Sequence, residues 1–264
     1  MTTIPFAQID AFASRPFEGN PAAVMPLESW LDDATLQRIA SENNLSETAF
    51  LIPDVHGPAD YELRWFTPAA EVALCGHATL ASGHFVLSAD PGESRVTFRT
   101  RQAGVLEVAR KGDGYELALP AWAPHPLPLP AIVAALGVEP VETLWHEKGY
   151  ALVIVADEAA VRAAAPDGVA LAAQGKIVAI VAARGDDTDI VSRVFTHAFD
   201  IPEDPVTGSA HAVMVPYWAA ALGRDRFSAF QASKRGGHLD CRLDGDRVVL
   251  GGQCVTVIEG CFTL

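Results

Sequence analysis

Apolar and polar residues alternate with a period of two along VTFRTRQAGVLEVAR and again along CRLDGDRVVL. Successive strand side chains point to opposite faces, so this alternation predicts half-buried β-structure. The Asp244-Gly245 pair predicts a hairpin turn. Over Asp32–Asn43 the period changes. Leu36, Ile39 and Ala40 fall on one side at helical spacing, which predicts an amphipathic helix. Two more helices are predicted over His77–Leu87 and Ser209–Leu222. Each is entered from a short strand carrying R-x-F-T, through a loop, and each is followed by a β-meander. Strands joined mostly by hairpins, with helices attached to each sheet, predict an α+β architecture rather than a doubly wound parallel sheet.

The same order of elements occurs twice. A shift of 129 residues lays Arg64–Ala81 on Arg193–Ala210. Arg64, Phe66, Thr67, Ala69 and Ala81 then meet Arg193, Phe195, Thr196, Ala198 and Ala210, and Glu71 and Val72 meet Asp200 and Ile201. Five identities in eighteen positions exceed the roughly one expected of unrelated segments. A shift of 133 sets Leu106, Glu107, Gly112, Asp113 and Leu117 on Leu239, Asp240, Gly245, Asp246 and Leu250. Between the copies, PAWAPHPLPLP carries five prolines in eleven residues and predicts an extended linker. Two domains of one kind are therefore expected, at 1–119 and 120–264, with chemistry in the cleft where they meet. The segment 251–264 has no counterpart in the first copy. It either joins its own sheet or crosses to the first domain.

Composition narrows the function classes. A chain of 264 residues, half of them apolar, can bury a large core. Its net charge of −14 argues against nucleic acid, which needs a basic face. The sequence shows neither a leader nor an apolar run of membrane-spanning length, so a cytoplasmic protein with no membrane partner is expected. Cys75, Cys241, Cys254 and Cys261 form no C-x-x-C pair, so neither a disulfide scaffold nor a metal site is expected. Dinucleotide, P-loop, serine-hydrolase-elbow and zinc-peptidase motifs are absent.

Candidate chemistry concentrates in the loops that enter the two matched helices. Leu74-Cys75-Gly76-His77-Ala78-Thr79 and Asp204-Pro205-Val206-Thr207-Gly208-Ser209-Ala210 place glycine and small residues where a loop becomes a helix. Exposed N–H groups there suit a carboxylate, and the plainer alternative is an ordinary helix cap. The shift of 129 sets Cys75 on Asp204. Both transfer protons, yet a thiol and a carboxylate are not a matched pair, and Cys75 equally reads as a small buried residue. Glu47, at the start of the β-rich run TAFLI, is either an acid/base group or a solvated carboxylate. His77 at a helix start is a neutral donor or base, or a surface cap. Gly19-Asn20-Pro21-Ala22-Ala23 is a turn signal followed by apolar residues, able to bring backbone near the cleft. Ser233-Lys234-Arg235-Gly236-Gly237 is a small basic loop in an acidic chain. His211 reads as a packing residue.

Several blocks together resemble the PhzF, or phenazine biosynthesis-like, family. They are Asp10-Ala11-Phe12, Gly19-Asn20-Pro21-Ala22-Ala23-Val24, Asn44-Leu45-Ser46-Glu47-Thr48-Ala49-Phe50 and Arg64-Trp65-Phe66-Thr67-Pro68. Cys75-Gly76-His77-Ala78-Thr79-Leu80-Ala81, Glu203-Asp204-Pro205-Val206-Thr207-Gly208-Ser209-Ala210 and Arg235-Gly236-Gly237 complete the set. The resemblance implies a diaminopimelate epimerase-like fold: two pseudo-symmetric α+β domains, each a barrel-like, mostly antiparallel sheet around a central helix. It implies a homodimer without cofactor, acting as an isomerase on a small carboxylic acid. It assigns proton transfer to Glu47, with His77 and Asp204 as further catalytic positions. Asn20, Cys75, Gly76, Gly208 and Ser209 become substrate-binding positions. Two-thiol epimerases of this fold carry cysteine at both paired positions, whereas this chain has Cys75 and Asp204. The alternatives are a non-catalytic small-molecule binder on the same fold and a racemase or epimerase using Cys75.

Overall fold

The computed structural model describes residues 2–199 and 201–264. Two compact units divide the chain. One is 1–118 together with 251–264, and the other is 119–250.

In the first unit the chain runs β1 (Thr3–Ala11), β2 (Asn20–Pro26), α1 (Asp33–Asn43), β3 (Glu47–Pro53), β4 (Tyr61–Phe66) and β5 (Glu71–Val72). It continues through α2 (Gly76–Ala89), β6 (Arg95–Thr100), β7 (Val105–Lys111) and β8 (Gly114–Pro120). The second unit contains β9 (His125–Pro126), α3 (Pro130–Leu136), β10 (Glu142–His146), β11 (Tyr150–Ile154), α4 (Glu158–Ala163) and α5 (Gly168–Ala172). Then come β12 (Val178–Arg184), β13 (Ile190–Thr196), a 3₁₀ turn (His197–Phe199), β14 (Ile201–Glu203), α6 (Gly208–Leu222), β15 (Arg226–Gln231), β16 (Gly237–Asp244) and β17 (Arg247–Gly252). The final strand β18 (Cys254–Thr263) pairs antiparallel with β1, from Thr3 opposite Thr263 to Ala11 opposite Cys254. The segment left open between two sheets thus belongs with the first unit.

The sheet of the first unit runs β18-β1-β2-β3-β4-β6-β7-β8. Near its far end it curls back. A Cβ on Gly114, which opens β8, would stand 2.5 Å from the Gly252 carbonyl oxygen. Helix α2 lies inside the curl, touching β18, β1, β2, β3, β6 and β7. Residues Gly76–Gly83 are buried without interruption, so the first two turns of this helix show no polar face to water. Small residues let it fit. A Cβ on Gly83 would come 2.4 Å from a Val108 methyl on β7.

Helix α1 matches its expectation. Asp32 caps it, accepting from Thr35 N–H, and Asn44 ends it in the left-handed conformation (φ 49°). Its buried Leu36, Ile39 and Ala40 pack with Met25, Phe50 and Phe66. Burying Leu36 alone contributes about 2 kcal/mol.

The second unit repeats the plan as β9-β10-β11-β12-β13-β15-β16, with α6 in the place of α2. The same steps are parallel in both units. β2–β3 answers β11–β12, and β4–β6 answers β13–β15. These parallel neighbours qualify the expectation of hairpin connections, because a helix or loop crosses between their strands. Helix α6 runs through Pro216 without stopping. Proline removes a donor to the carbonyl four residues back. That carbonyl, on Ala212, accepts Trp122 N–H instead at 2.9 Å.

The proline-rich stretch is not a free linker. Its His125 and Pro126 form β9 against Trp145 and Leu144, and Pro130 opens α3 at a position where its missing N–H costs nothing.

Candidate functional site

Three side chains converge at the start of α2. Glu47 is the first residue of β3 and lies beside Ala22 of β2 in the parallel register. Cys75 is the N-cap of α2, in extended backbone conformation, and His77 lies in the first turn. Glu47 Oε2 stands 3.0 Å from His77 Nε2. Cys75 Sγ lies 3.5 Å from Nδ1 and 4.0 Å from Nε2 of the same ring.

Asn20 joins the set. Gly19 holds φ at +63°, and a Cβ there would meet the Ala11 carbonyl oxygen at 2.1 Å, so glycine is required for the pass. The turn delivers Asn20 to β2, with its amide nitrogen 3.1 Å from His77 Nδ1. Three residues from three sequence blocks, Asn20, Glu47 and Cys75, therefore meet around the His77 imidazole.

His77 and Cys75 are buried, while the Glu47 side chain retains 14% exposure. Burial by itself lowers the basicity of His77. The adjacent Cys75 sulfur and the Glu47 carboxylate outweigh it and hold the imidazole well above its ordinary value. Burial, and then the Glu47 charge, push the Cys75 thiol up to about 11. Asn20 serves either ring state by turning its amide, nitrogen toward neutral Nδ1 or oxygen toward Nδ1–H.

The start of α6 has the same backbone form and different contents. Its N-cap is Thr207, and neither Cys75 nor Thr207 makes a side-chain capping hydrogen bond. The Thr207 hydroxyl donates instead to Asp204 Oδ2. Gln231 braces the loop. Its amide nitrogen donates to the Asp204 carbonyl at 2.7 Å, and its oxygen accepts Thr207 N–H at 2.9 Å. Ser233 donates to the Pro205 carbonyl at 2.8 Å, which ties the small basic loop to the same turn. His211 is buried beneath, with Nδ1 2.8 Å from the Thr207 carbonyl oxygen. Burial lowers it to about 4, so it is neutral and structural. Gly208 is buried and Ser209 half-buried in the first turn. Asp204 is buried at the threshold of this helix.

The structure corrects the alignment of the two halves. Phe66 faces Glu71 across β4–β5, and Phe195 faces Glu203 across β13–β14. Arg64 Nε bonds Glu71 at 2.8 Å, and Arg193 Nε bonds Glu203 at 2.7 Å. Glu203 therefore answers Glu71. Asp200, which the shift of 129 sets against Glu71, lies outside the described residues. The three-residue turn His197–Phe199 has been inserted, and the offset beyond it is 132. Gly76 then meets Gly208, Ala78 meets Ala210, and Cys75 meets Thr207 rather than Asp204. The thiol has no proton-transferring counterpart at its own position in the repeat.

Sequence reasoning named Glu47, Cys75, His77 and Asn20 one by one without bringing them together. It missed Gln231. A signal was available, because alternation in β15 puts Gln231 on the same face as buried Phe227 and Ala229.

Comparison with known proteins agrees with the architecture. A protein of Pseudomonas aeruginosa named an uncharacterized isomerase is 47% identical over 97% of each chain. The crystal structure of a PhzF-family phenazine biosynthesis protein from Enterococcus faecalis superposes with a TM-score of 0.91 at 42% identity, covering all of both chains. A hydroxyproline epimerase from Agrobacterium vitis shares the fold alone, with a TM-score of 0.70 at 14% identity over 99% of this chain and 91% of its own. The α+β fold is thus of the epimerase-like kind, and the names of the relatives support an isomerase-type role. The family model described as phenazine biosynthesis-like protein matches residues 9–260, and the chain belongs to that PhzC–PhzF family.

Proposed function

We propose that the protein is a cofactor-independent isomerase that moves a proton between two carbons of a small carboxylic acid, with Glu47 as the shuttle. The contact between Glu47 Oε2 and His77 Nε2 at 3.0 Å carries the reading. The raised basicity of His77 lets its ring carry positive charge beside the Glu47 carboxyl group. Glu47 is also more open to an incoming molecule than either buried neighbour.

Glu47 takes a proton from one substrate carbon and becomes a neutral acid. The electron pair left behind spreads into the substrate's conjugated system as an enolate. Glu47 then returns the proton to a second carbon, so substrate and product differ only in the position of that hydrogen. Fixed positive charge on His77 offsets the negative charge that develops. N–H groups in the first turn of α2, at Gly76, suit the substrate carboxylate. In the second unit the first turn of α6, with Gly208 and Ser209 and with Asp204 close by in sequence, offers the same kind of backbone turn.

A thiol-based racemase finds less support. Cys75 is un-ionised at neutral pH, and Thr207 stands at its repeat position. Proton exchange from D₂O, measured by NMR over a panel of cyclic and amino-acid-like carboxylates, tests the proposal. Deuterium is expected to enter at carbon in the presence of the protein. Tight binding of a carboxylate with no exchange at any pH would mark the protein as a binder instead.

A further inference from the structure

Trp65 on β4 is 2% exposed, and its Nε1 has no hydrogen-bond partner among the described residues. A buried indole N–H is ordinarily paired, because an unpaired donor away from water is destabilising. Its direct neighbours across the sheet, Ala49 on β3 and Val72 on β5, have apolar side chains. A matching acceptor lies on the next strand. Glu47 Oε2 is equally sealed and equally without a hydrogen bond, since its 3.0 Å approach to His77 Nε2 is not aligned as one.

Strand geometry puts donor and acceptor on one face. Ala49 stands opposite Trp65, and Glu47 lies two residues before Ala49 along β3. Side chains two apart share a face. Phe50 and Phe66, the next residues along each strand, meet on the other face, where they pack with α1. Trp65 and Glu47 are therefore diagonal neighbours on the side that holds α2. Such neighbours have Cβ atoms about 7–8 Å apart, within reach of aromatic and long side chains.

We propose that Trp65 is a positioning residue for the proton shuttle. Its Nε1–H holds Glu47 Oε2 and thereby aims the other oxygen, Oε1, at substrate carbon. Because Oε2 is sealed, the 14% exposure of the Glu47 side chain lies elsewhere and leaves Oε1 as the oxygen that meets a substrate. A carboxylate anchored by one oxygen presents the other in a fixed direction, which is what a proton transfer between two carbons requires. Phenylalanine would fill the same core position without the donor. The contact stands independently of the proposed function, and the positioning role rests on it.

Trp65→Phe keeps an aromatic ring and removes the N–H. Deuterium exchange in this variant is expected to lose about 10–100-fold in kcat, the size of a hydrogen bond to a charged group, with KM unchanged. A residue that only packs would not split the two constants in this way. A second measurement needs no altered tryptophan, should that variant fold poorly. With the indole N–H resonances of isotope-labelled protein assigned through the backbone, that of Trp65 is expected to move in Glu47→Gln. Those of Trp30, Trp122, Trp145 and Trp218 are expected to stay. A Trp65 resonance unmoved in Glu47→Gln overturns the contact. One that moves in Cys75→Ala instead gives the donor to sulfur and overturns it as well. Full exchange in Trp65→Phe together with lost exchange in Glu47→Gln overturns the positioning role and leaves the proposed function standing. Full exchange in Glu47→Gln removes the shuttle, and the positioning role with it.

Discussion

The starts of α2 and α6 are the same backbone device filled with different chemistry. Each follows an Arg-Glu-braced strand, passes an N-cap in extended conformation and enters a buried helix. At α2 the histidine is raised above its ordinary value, with the Glu47 carboxyl group 3.0 Å away. At α6 the histidine is neutral, and the carboxylate of Asp204 is held by Thr207. Duplication supplied the frame twice. Among the described residues, the first copy alone combines a histidine, a partly open carboxylate and a thiol. The comparison separates what the fold requires from what the chemistry requires.

The two arginine braces give the largest expected effect on stability. Arg64 is 2% exposed, bonds both Glu71 and Asp33, and lies over the rings of Trp30 and Phe66. Removing such a buried partner costs about 3 kcal/mol. Arg193 is 16% exposed and holds Glu203 and the Ala164 carbonyl. Chemical denaturation should show Arg64→Ala losing more than Arg193→Ala. The reverse order would mean that the second brace is the one the fold depends on.

Next in size is the fit of the central helix. Gly83→Ala drives a methyl into Val108 and should cost about 1–3 kcal/mol. Ser209→Ala, half-buried at the start of α6, should cost less than 1 kcal/mol. Equal melting shifts would contradict the tight seating of α2.

The histidines then give opposite pH behaviour. His211 is depressed to about 4, so the unfolded chain, with an ordinary value near 6.5, takes up its proton first as pH falls. Stability should decline from about pH 6.5 toward 4, and His211→Gln should flatten that slope. His77 is raised, so its contribution is complete below about pH 6.5 and is lost as pH climbs through its folded value. His77→Gln should flatten the alkaline side of the profile and leave the acid side as it was.

Much of this was legible in the chain. Helix α1 followed from Leu36, Ile39 and Ala40, and α1, α2 and α6 began within one residue of their expected starts. The helices α3, α4 and α5 were not foreseen. They are 5–7 residues long, too short for a periodic signal to rise above the surrounding apolar sequence. The pairing of Cys75 with Asp204 was misread because an ungapped shift cannot see the inserted turn His197–Phe199. Only strand pairing, Phe66 with Glu71 and Phe195 with Glu203, fixes the register. The meeting of Asn20, Glu47, Cys75 and His77 depends on the parallel pair β2–β3, a long-range contact that local pattern does not encode.

The central claim is that proton transfer belongs to Glu47 and that Cys75 is not its partner base. Deuterium incorporation into the carboxylic-acid substrate, followed for the unaltered protein, Glu47→Gln and Cys75→Ala at equal folded fraction, tests it directly. The account predicts that Glu47→Gln loses about 10²–10⁴-fold in exchange, while Cys75→Ala stays within about tenfold. Retained exchange in Glu47→Gln together with its loss in Cys75→Ala would contradict the account.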